Sequence, residues 1–491
     1  MADTELAPAG MRLRPDPGAR LLAGGTVLMG GSPGRVLRLT PSGARQVAGW
    51  WRGAALPGNP GARALARRLL DAGIAHPVAD GLPAATAAEV TVVIPVRDRP
   101  AELARCLAGL RDLPAVIVVD DGSRDPAAVA EVAVAEVAAA AGARLLRRPA
   151  SGGPGAARNA GLAAADTPLV AFLDSDCVPA PGWLDRLLPH FADPAVGAVA
   201  PRIVPDSAGP TWLARYEGAS STLDMGARPG IVRPRSRVPY VPGAALLVRR
   251  AAAGAGFAED MPVGEDVDFV WRLAASGWRV RYEPAGSMPH QHRVRPRPWL
   301  ARRREYGTSA AALELRHPGD VRPLYLSAWT ASAWLAAAAG RPGAAAVVTG
   351  AGIALLARRL ARVTGERWPL ARTAWLLAAR LAGGGTLAAA RPAGSAISRA
   401  WWPAALPAAL ALPRLRLPLA ALALAPPLLD WLDRRPPLDP ARYLAARLLD
   451  DVAYGLGVWQ GCARHRTIRP LLPLVTGPRL RPWPAPGRGR G

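Results

Sequence analysis

Between residues 90 and 173 the hydrophobic pattern switches back and forth between two periods. Apolar runs at 90–96, 115–119, 143–146 and 169–173 predict buried strands, and amphipathic spacing at 101–110, 126–141 and 156–165 predicts the helices between them. Strands that are apolar throughout need cover on both sides, so the expected fold is α/β, a mostly parallel sheet with helices on both faces. The alternating stretch extends to about residue 318, which sets a middle unit at 89–318. Ligands of such sheets bind beyond the carboxyl ends of the strands, and the chemistry is sought there.

The flanking stretches differ in texture. Residues 1–88 hold brief apolar runs at 21–22, 26–29 and 36–39, then helical spacing at 44–51 and 62–70. Small strands followed by helices resemble a winged helix-turn-helix or a small peptide-recognition domain; a structural cap is the plainer alternative. Residues 319–491 are rich in Ala, Leu, Trp and Arg. Uncharged runs cover 324–340 and 342–357 on either side of Arg341, and further apolar runs cover 401–412 and 417–429. Each run is shorter than the roughly 20 residues of a spanning helix, so buried soluble helices and membrane-inserted ones fit equally. The Trp and Arg content favours contact with a membrane interface. Pro426-Pro427, Pro436-Pro437 and the tail from Pro478 read as irregular.

Composition narrows the classes. A chain of 491 residues is long enough for two or three folded units. Its formal charge of +24 comes from 61 basic against 37 acidic side chains, and every basic one is an arginine. The arginines are spread along the chain without a nucleic-acid-binding motif and with few aromatics to stack on bases, so no nucleic-acid partner is expected. A membrane surface or a phosphorylated substrate accounts for the charge. Cys106, Cys177 and Cys462 are too far apart for a zinc or disulfide framework, which fits a reducing cytosol. The first ten residues carry acidic groups and no apolar core, so no secretory leader is expected.

The predicted strand ends carry the candidate chemistry. The strand at 115–119 runs into Asp120-Asp121-Gly122-Ser123, where a carboxylate can accept the imide N–H of a uracil ring; a plain turn uses the same residues. The strand at 169–173 runs into Asp174-Ser175-Asp176. Alternation sends both carboxylates to one side, so one can face a ribose and the other a hard divalent cation bridging two phosphates. Between them, Ser151-Gly152-Gly153-Pro154-Gly155 opens a helix, and Arg158 in its first turns can reach a diphosphate. A flexible loop is the alternative. Glu265 and Asp266, taken by themselves, read as helix N-terminal caps. In Pro289-His290-Gln291-His292-Arg293, either histidine can be a further metal ligand, or both are surface residues.

Taken in order, these segments resemble the family 2 glycosyltransferases. Ile94-Pro95-Val96-Arg97-Asp98-Arg99, Val118-Val119-Asp120-Asp121-Gly122-Ser123, Ala157-Arg158-Asn159-Ala160-Gly161 and Phe172-Leu173-Asp174-Ser175-Asp176 match the nucleotide half. Pro242-Gly243-Ala244-Ala245 and Gly264-Glu265-Asp266-Val267-Asp268 match the acceptor half. The resemblance implies a GT-A type domain and an inverting displacement with Asp266 as base. It assigns Pro95, Arg97, Asp98, Asp120, Asp121, Arg158 and Asp174 to the nucleotide sugar and Gly243 and Glu265 to the acceptor. Asp176 with His290 or His292 would hold Mn2+ or Mg2+. The Gln-x-x-Arg-Trp signature of processive synthases is absent, which implies addition of one or a few sugars.

A narrower resemblance comes from Gly30-Gly31-Ser32-Pro33-Gly34-Arg35 and Glu305-Tyr306-Gly307-Thr308-Ser309-Ala310-Ala311. With the basic, apolar C-terminal stretch they look like the glycosyltransferases of the mycofactocin system. That implies a UDP-sugar donor, glucose as the hexose and a peptide-derived redox cofactor as acceptor, on the cytoplasmic face of the membrane or in the cytoplasm. A cell-envelope lipid or polysaccharide acceptor is the alternative within the class; an inactive membrane-anchored scaffold is the alternative outside it, and Asp121, Asp174, Asp176 and Asp266 speak against it.

Overall fold

A computed structural model describes residues 5–78, 85–124, 129–206 and 209–477. In the first unit, β1 (Arg12–Pro15) is followed by a three-stranded antiparallel meander of β2 (Arg20–Leu22), β3 (Val27–Gly30) and β4 (Arg35–Arg38). Helices α1 (Pro41–Trp51) and α2 (Pro60–Asp71) start where their caps dictate. Thr40 Oγ accepts from Gly43 N at 3.0 Å and Asn59 Oδ1 from Ala62 N at 2.9 Å, each cap followed by a proline in the first turn. Strand β5 (Ala75–Val78) returns to pair antiparallel with β1. The strand-then-helix order is as expected, and this arrangement gives no support to a winged helix-turn-helix.

The middle unit is the expected α/β sheet. Strands β6 (Val90–Val96), β7 (Val116–Asp120), β8 (Arg144–Arg147) and β9 (Leu169–Leu173) pair in parallel in the order β8-β7-β6-β9, with α3 (Pro100–Ala108), α4 (Val129–Ala140) and α5 (Gly153–Ala163) as crossovers. The sheet continues through β10 (Val196–Pro205), β11 (Gly230–Ile231), β12 (Ala245–Arg249) and β13 (Arg279–His290) to eight strands, with β12 and β11 antiparallel to their neighbours. Helix α6 (Trp212–Ser220) follows β10, α7 (Glu265–Ala275) precedes β13, and α8 (Pro296–Arg316) follows it. Two buried apolar clusters lie on the sheet's two faces, one around Ile94, Leu103, Leu173 and Leu247, the other around Val93, Phe172, Leu246 and Phe269.

The C-terminal stretch is helical, from β14 (Tyr325–Ser327) and α9 (Ala328–Ala338) through α10 (Pro342–Thr364), α11 (Arg372–Ala378), α12 (Gly384–Ala388), α13 (Ala390–Ala396), α14 (Trp402–Ala411), α15 (Pro413–Arg434) and α16 (Pro440–Arg464) to β15 (Leu474–Thr476), which pairs with β14. Pro426 and Pro427 are not in an irregular segment but buried inside α15, where Pro426 packs against Gly394 of α13 and tertiary packing outweighs the lost backbone hydrogen bonds. Pro436-Pro437 is irregular as expected; the tail from Pro478 lies outside the described residues.

The three units interlock. Arg67 of α2 makes a two-pronged pair with Asp193, at 2.7 and 2.8 Å, both side chains buried. Asp71 receives Arg279 at 3.0 and 3.2 Å, and Asp16 receives Arg237 at 2.8 Å and His76 at 2.9 Å. On its other side the first unit lays Leu22, Met29 and Val36 of the meander against Leu360, Ala361 and Ala374 of α10 and α11. Removing one partner of a buried ion pair leaves an uncompensated charge, which costs about 3–5 kcal/mol, whereas an apolar pair of similar volume is nearly neutral. Arg67→Ala is therefore expected to lower the thermal midpoint clearly and Arg67→Met with Asp193→Leu to recover most of the loss; a double variant worse than the single would overturn this reading.

Candidate active site

The carboxyl ends of β6, β7 and β9 and the start of α7 face one cavity of about 1120 Å3. Pro95, Arg97, Asp121, Arg158, Asp174, Asp176, Gly243, Glu265, Asp266, His290 and His292, all singled out from the sequence, line it. Asp98 and Asp120 do not, for local reasons. Asp120 ends β7 fully buried, and its Oδ1 accepts from Ser123 N at 3.0 Å and Ser123 Oγ at 2.6 Å, which closes the turn. Asp98 adopts φ +54°, a region that aspartate tolerates, and its Oδ1 accepts from Arg124 N at 2.7 Å. Both carboxylates shape the loops behind the cavity.

Asp121 organises the glycine-rich loop. Its carboxylate accepts from Ser151 Oγ at 2.7 Å, Gly152 N at 3.0 Å and Gly153 N at 2.9 Å, and pairs with Arg148 at 3.0 Å. Gly122 makes this approach feasible: at φ +69°, a side chain there would meet the backbone of Ala150 and Ser151 within 3 Å. The loop then opens α5, which carries Arg158 inward.

Arg158 is buried and spans two elements. Its guanidinium donates to Asp174 Oδ1 and Glu265 Oε1, both at 2.7 Å, and lies 5.3 Å from the ring centroid of Phe257. Burial works against its charge, but Asp174, Glu265 and Asp266 outweigh burial and hold the group more firmly protonated than usual. Glu265 shows the opposite balance: burial, then the neighbouring Asp266, push its carboxyl up to about 7 against the pull of Arg158. Asp266 is only half-buried. Its Oδ2 accepts from Gly243 N at 2.7 Å and its Oδ1 from Val267 N at 2.8 Å, so its carboxylate is aimed while part of it faces the cavity. Gly264 at φ +85° turns the chain into α7 so that the Glu-Asp pair occupies the first turn, where the helix dipole favours negative charge.

Asp174, Asp176 and His290 each bring one ligand atom within 4.8 Å of the others. Two carboxylates and an imidazole form a donor set suited to Mn2+ or Mg2+, and His290 and His292 are held with ring centroids 5.5 Å apart. Burial opposes ionisation of Asp176, and the hydrogen bond from His290, with the charges of His290 and Arg99, overcomes it, so this carboxyl stays below its usual range. Burial, then the charge of His290, pushes His292 down to about 4. The geometry thus brings His290 into the acidic cluster and leaves His292 beside it. Arg99, which donates to Asp176 at 2.8 Å, was not foreseen; the Arg97-Asp98-Arg99 segment directly after β6 is the signal that points to it.

Comparison with known proteins gives a consistent result. Residues 91–256 match the family described as glycosyl transferase family 2. The chain is 42% identical over 482 residues to the pre-mycofactocin glycosyltransferase of Mycobacterium tuberculosis, covering 95% of this chain and 98% of that one. An uncharacterized glycosyltransferase of Mycobacterium bovis is 35% identical over 39% of this chain and 81% of its own length. Among solved structures, a mannosyltransferase from Pyrobaculum calidifontis in complex with GDP-Man and Mn2+ is 23% identical, covering 60% of this chain and 86% of that one at a TM-score of 0.36.

The raised carboxyl of Glu265 gives the site a signed pH dependence. The folded chain keeps a proton on Glu265 that the unfolded chain releases near 4.5, so stability from this group is complete below about 4.5 and is lost as pH rises through about 7. Glu265→Gln cannot ionise. The thermal midpoint of the parent minus that of the variant is expected to fall by roughly a few degrees between about pH 5 and pH 8; a difference that stays constant over that range counts against the assignment.

Proposed function

This chain belongs to glycosyl transferase family 2, and on that premise we propose that it transfers glucose, with inversion, from a UDP-sugar to a peptide-derived redox cofactor, the mycofactocin precursor, one or a few units at a time. The observation that carries the reading is the junction of two sets of groups in one cavity: Asp121, Arg158, Asp174, Asp176 and His290 on one side, and the aimed carboxylate of Asp266 on the other. Asp266 takes the proton of the acceptor hydroxyl as that oxygen attacks the anomeric carbon from the face opposite the diphosphate. Arg158, fixed by Asp174 and Glu265, orients the donor's anionic groups without moving during the reaction. A divalent cation held by Asp174, Asp176 and His290 would supply charge stabilisation for the departing diphosphate.

The apolar C-terminal surface supports attachment to the inner face of the membrane. Helices α10 and α15 are long and apolar enough to cross a bilayer, at 23 and 22 residues. The last turns of α10 are covered by the N-terminal meander, however, and Pro426 and Pro427 of α15 are buried. What is left of each is too short for a hydrocarbon layer of about 30 Å at about 1.5 Å per residue, which favours dipping into one leaflet over spanning. Leu370 and Leu417, 89% and 82% exposed, belong to the same region. This surface also favours a second reading, a cell-envelope lipid as acceptor.

Two measurements test these readings. Incubation with UDP-glucose, Mn2+ and the peptide-derived acceptor is expected to give hexose mass increments. Asp266→Asn is expected to cut the rate by about 10²-fold or more with UDP affinity within a few fold, while Asp176→Ala removes the Mn2+ dependence of UDP binding. No increments, or an Asp266→Asn variant as active as the parent, would refute the mechanism. For location, the chain is expected to stay with membranes through a high-salt wash and to leave with detergent. Recovery in the soluble fraction from the outset would end the membrane proposal.

A further inference from the structure

The cavity does not end at Asp266. It continues to Tyr240, Trp271, Tyr306, Tyr325, Arg399 and Tyr454, and three of these belong to the C-terminal helical stretch, outside the residues matched by the family. A single ligand of drug size takes a pocket of about 300–1,000 Å3, so about 1120 Å3 accommodates a donor and an acceptor together. We infer that Tyr306 and Tyr454, with Arg399 behind them, form the wall against which the flat ring of an uncharged acceptor stacks, so that α8 and α16 complete the active site. This rests on the glycosyl-transfer reading and names the residues that bind its acceptor.

The wall is built by a seam of small residues. Gly307 of α8 lies against Tyr454 O and Gly457, Gly457 against Arg304 O, and Gly461 of α16 against Thr308 O at 2.5 Å from where a Cβ would stand, so backbone meets backbone with no room for side chains. Tyr306, next to Gly307, and Tyr454, next to Gly455, are thereby held at the cavity. The same helix braces the catalytic loop: a Cβ on Gly264 would stand 2.8 Å from Ser309 Cβ. The segment Glu305-Tyr306-Gly307-Thr308-Ser309 therefore fixes the tyrosine wall and the Glu265-Asp266 pair at once. Tyr240 lines the same cavity between them, and burial pushes its phenol up to about 12 against the pull of Arg399.

The chemistry of the wall selects the ligand. The Arg399 guanidinium carbon sits 3.7 Å from the Tyr454 ring centroid and pairs with Asp451 at 3.6 Å. Arg302 lies 4.5 Å from the Tyr306 centroid and pairs with Glu305 at 2.8 Å, and Arg235 pairs with Asp320 at 3.3 Å. These three cations are matched by carboxylates, which leaves the tyrosine rings as the apolar faces of this end and Arg293, near Tyr306, as its further cation. A planar ring stacks on such faces. Among the described residues a lipid phosphate would have Arg293 to pair with here, a single cation, whereas Arg235, Arg302 and Arg399 are already engaged.

The test uses the full chain with UDP, Mn2+ and 4-nitrophenyl glucoside as a ring-bearing probe, with binding measured by calorimetry. Tyr306→Ala and Tyr454→Ala are each expected to weaken probe binding about tenfold while UDP affinity and thermal midpoint stay near the parent's, and Phe at either position is expected to restore it. Unchanged probe binding in both Ala variants, or a probe displaced by geranyl phosphate as effectively as by unlabelled aromatic glycoside, would overturn the inference. If an Ala variant is misfolded, the loss of UDP binding reveals it and the Tyr→Phe pair decides: weakening by Phe as large as by Ala counts against stacking. A parent that binds the probe but, given UDP-glucose, Mn2+ and the peptide-derived acceptor, transfers no hexose refutes the transfer reading and leaves the wall standing.

Discussion

A guanidinium buried among carboxylates holds the two halves of this site in register. Arg158 leaves the first turns of α5 and meets Asp174, at the end of β9, and Glu265, at the start of α7. An isolated charge in that position would be very costly to desolvate, and the carboxyls of Asp174, Glu265 and Asp266, when ionised, would repel one another without a cation beside them. Together they are stable only in one geometry. The position of Asp266 follows, because Gly243, whose carbonyl lies 3.4 Å from Arg158, donates its N–H to Asp266. The loop after β9 and the start of α7 are thus joined by one side chain rather than by the sheet alone.

The flanking units repeat the theme on a larger scale. Matched ion pairs at Asp16, Asp71 and Asp193 fix the first unit to the sheet, and its apolar meander meets α10 and α11. Beneath the cavity, Arg303 pairs with Glu217 and, at 3.1 Å, with Asp450, tying α8 to α6 and α16. A chain with a formal charge of +24 keeps a compact centre because, among the described residues, the buried arginines Arg67, Arg158 and Arg303 come with their acids. The excess is left for the surface.

Much of the middle unit was legible in the sequence because local period and tertiary burial agree there. The strands at 90–96 and 169–173 are found at those residues, and β7 and β8 differ from their expected positions by one residue. Strands β1 and β5 escaped notice because Arg-Leu-Arg-Pro and Ala-His-Pro-Val carry no apolar run; they exist through pairing with each other. The carboxylates of the site were identifiable by type and place, but not by direction. Adjacent residues in an extended chain point oppositely, so Asp120 turns into the turn core while Asp121 reaches the loop, and only the fold tells which. The seam of Gly307, Gly457 and Gly461 was invisible for the same reason: glycines in two helices far apart in sequence announce nothing until the helices touch.

The meander and the helices that cover it stand far apart in the chain. Leu22, Met29 and Val36 emerge early, while Leu360, Ala361 and Ala374 leave the ribosome hundreds of residues later, on the order of 15–60 s at about 5–20 residues per second. During that interval the early strands carry an uncovered apolar face. The order of synthesis therefore leaves the first unit unfinished although it is made first, and it becomes whole only when the apolar helices arrive to cover it.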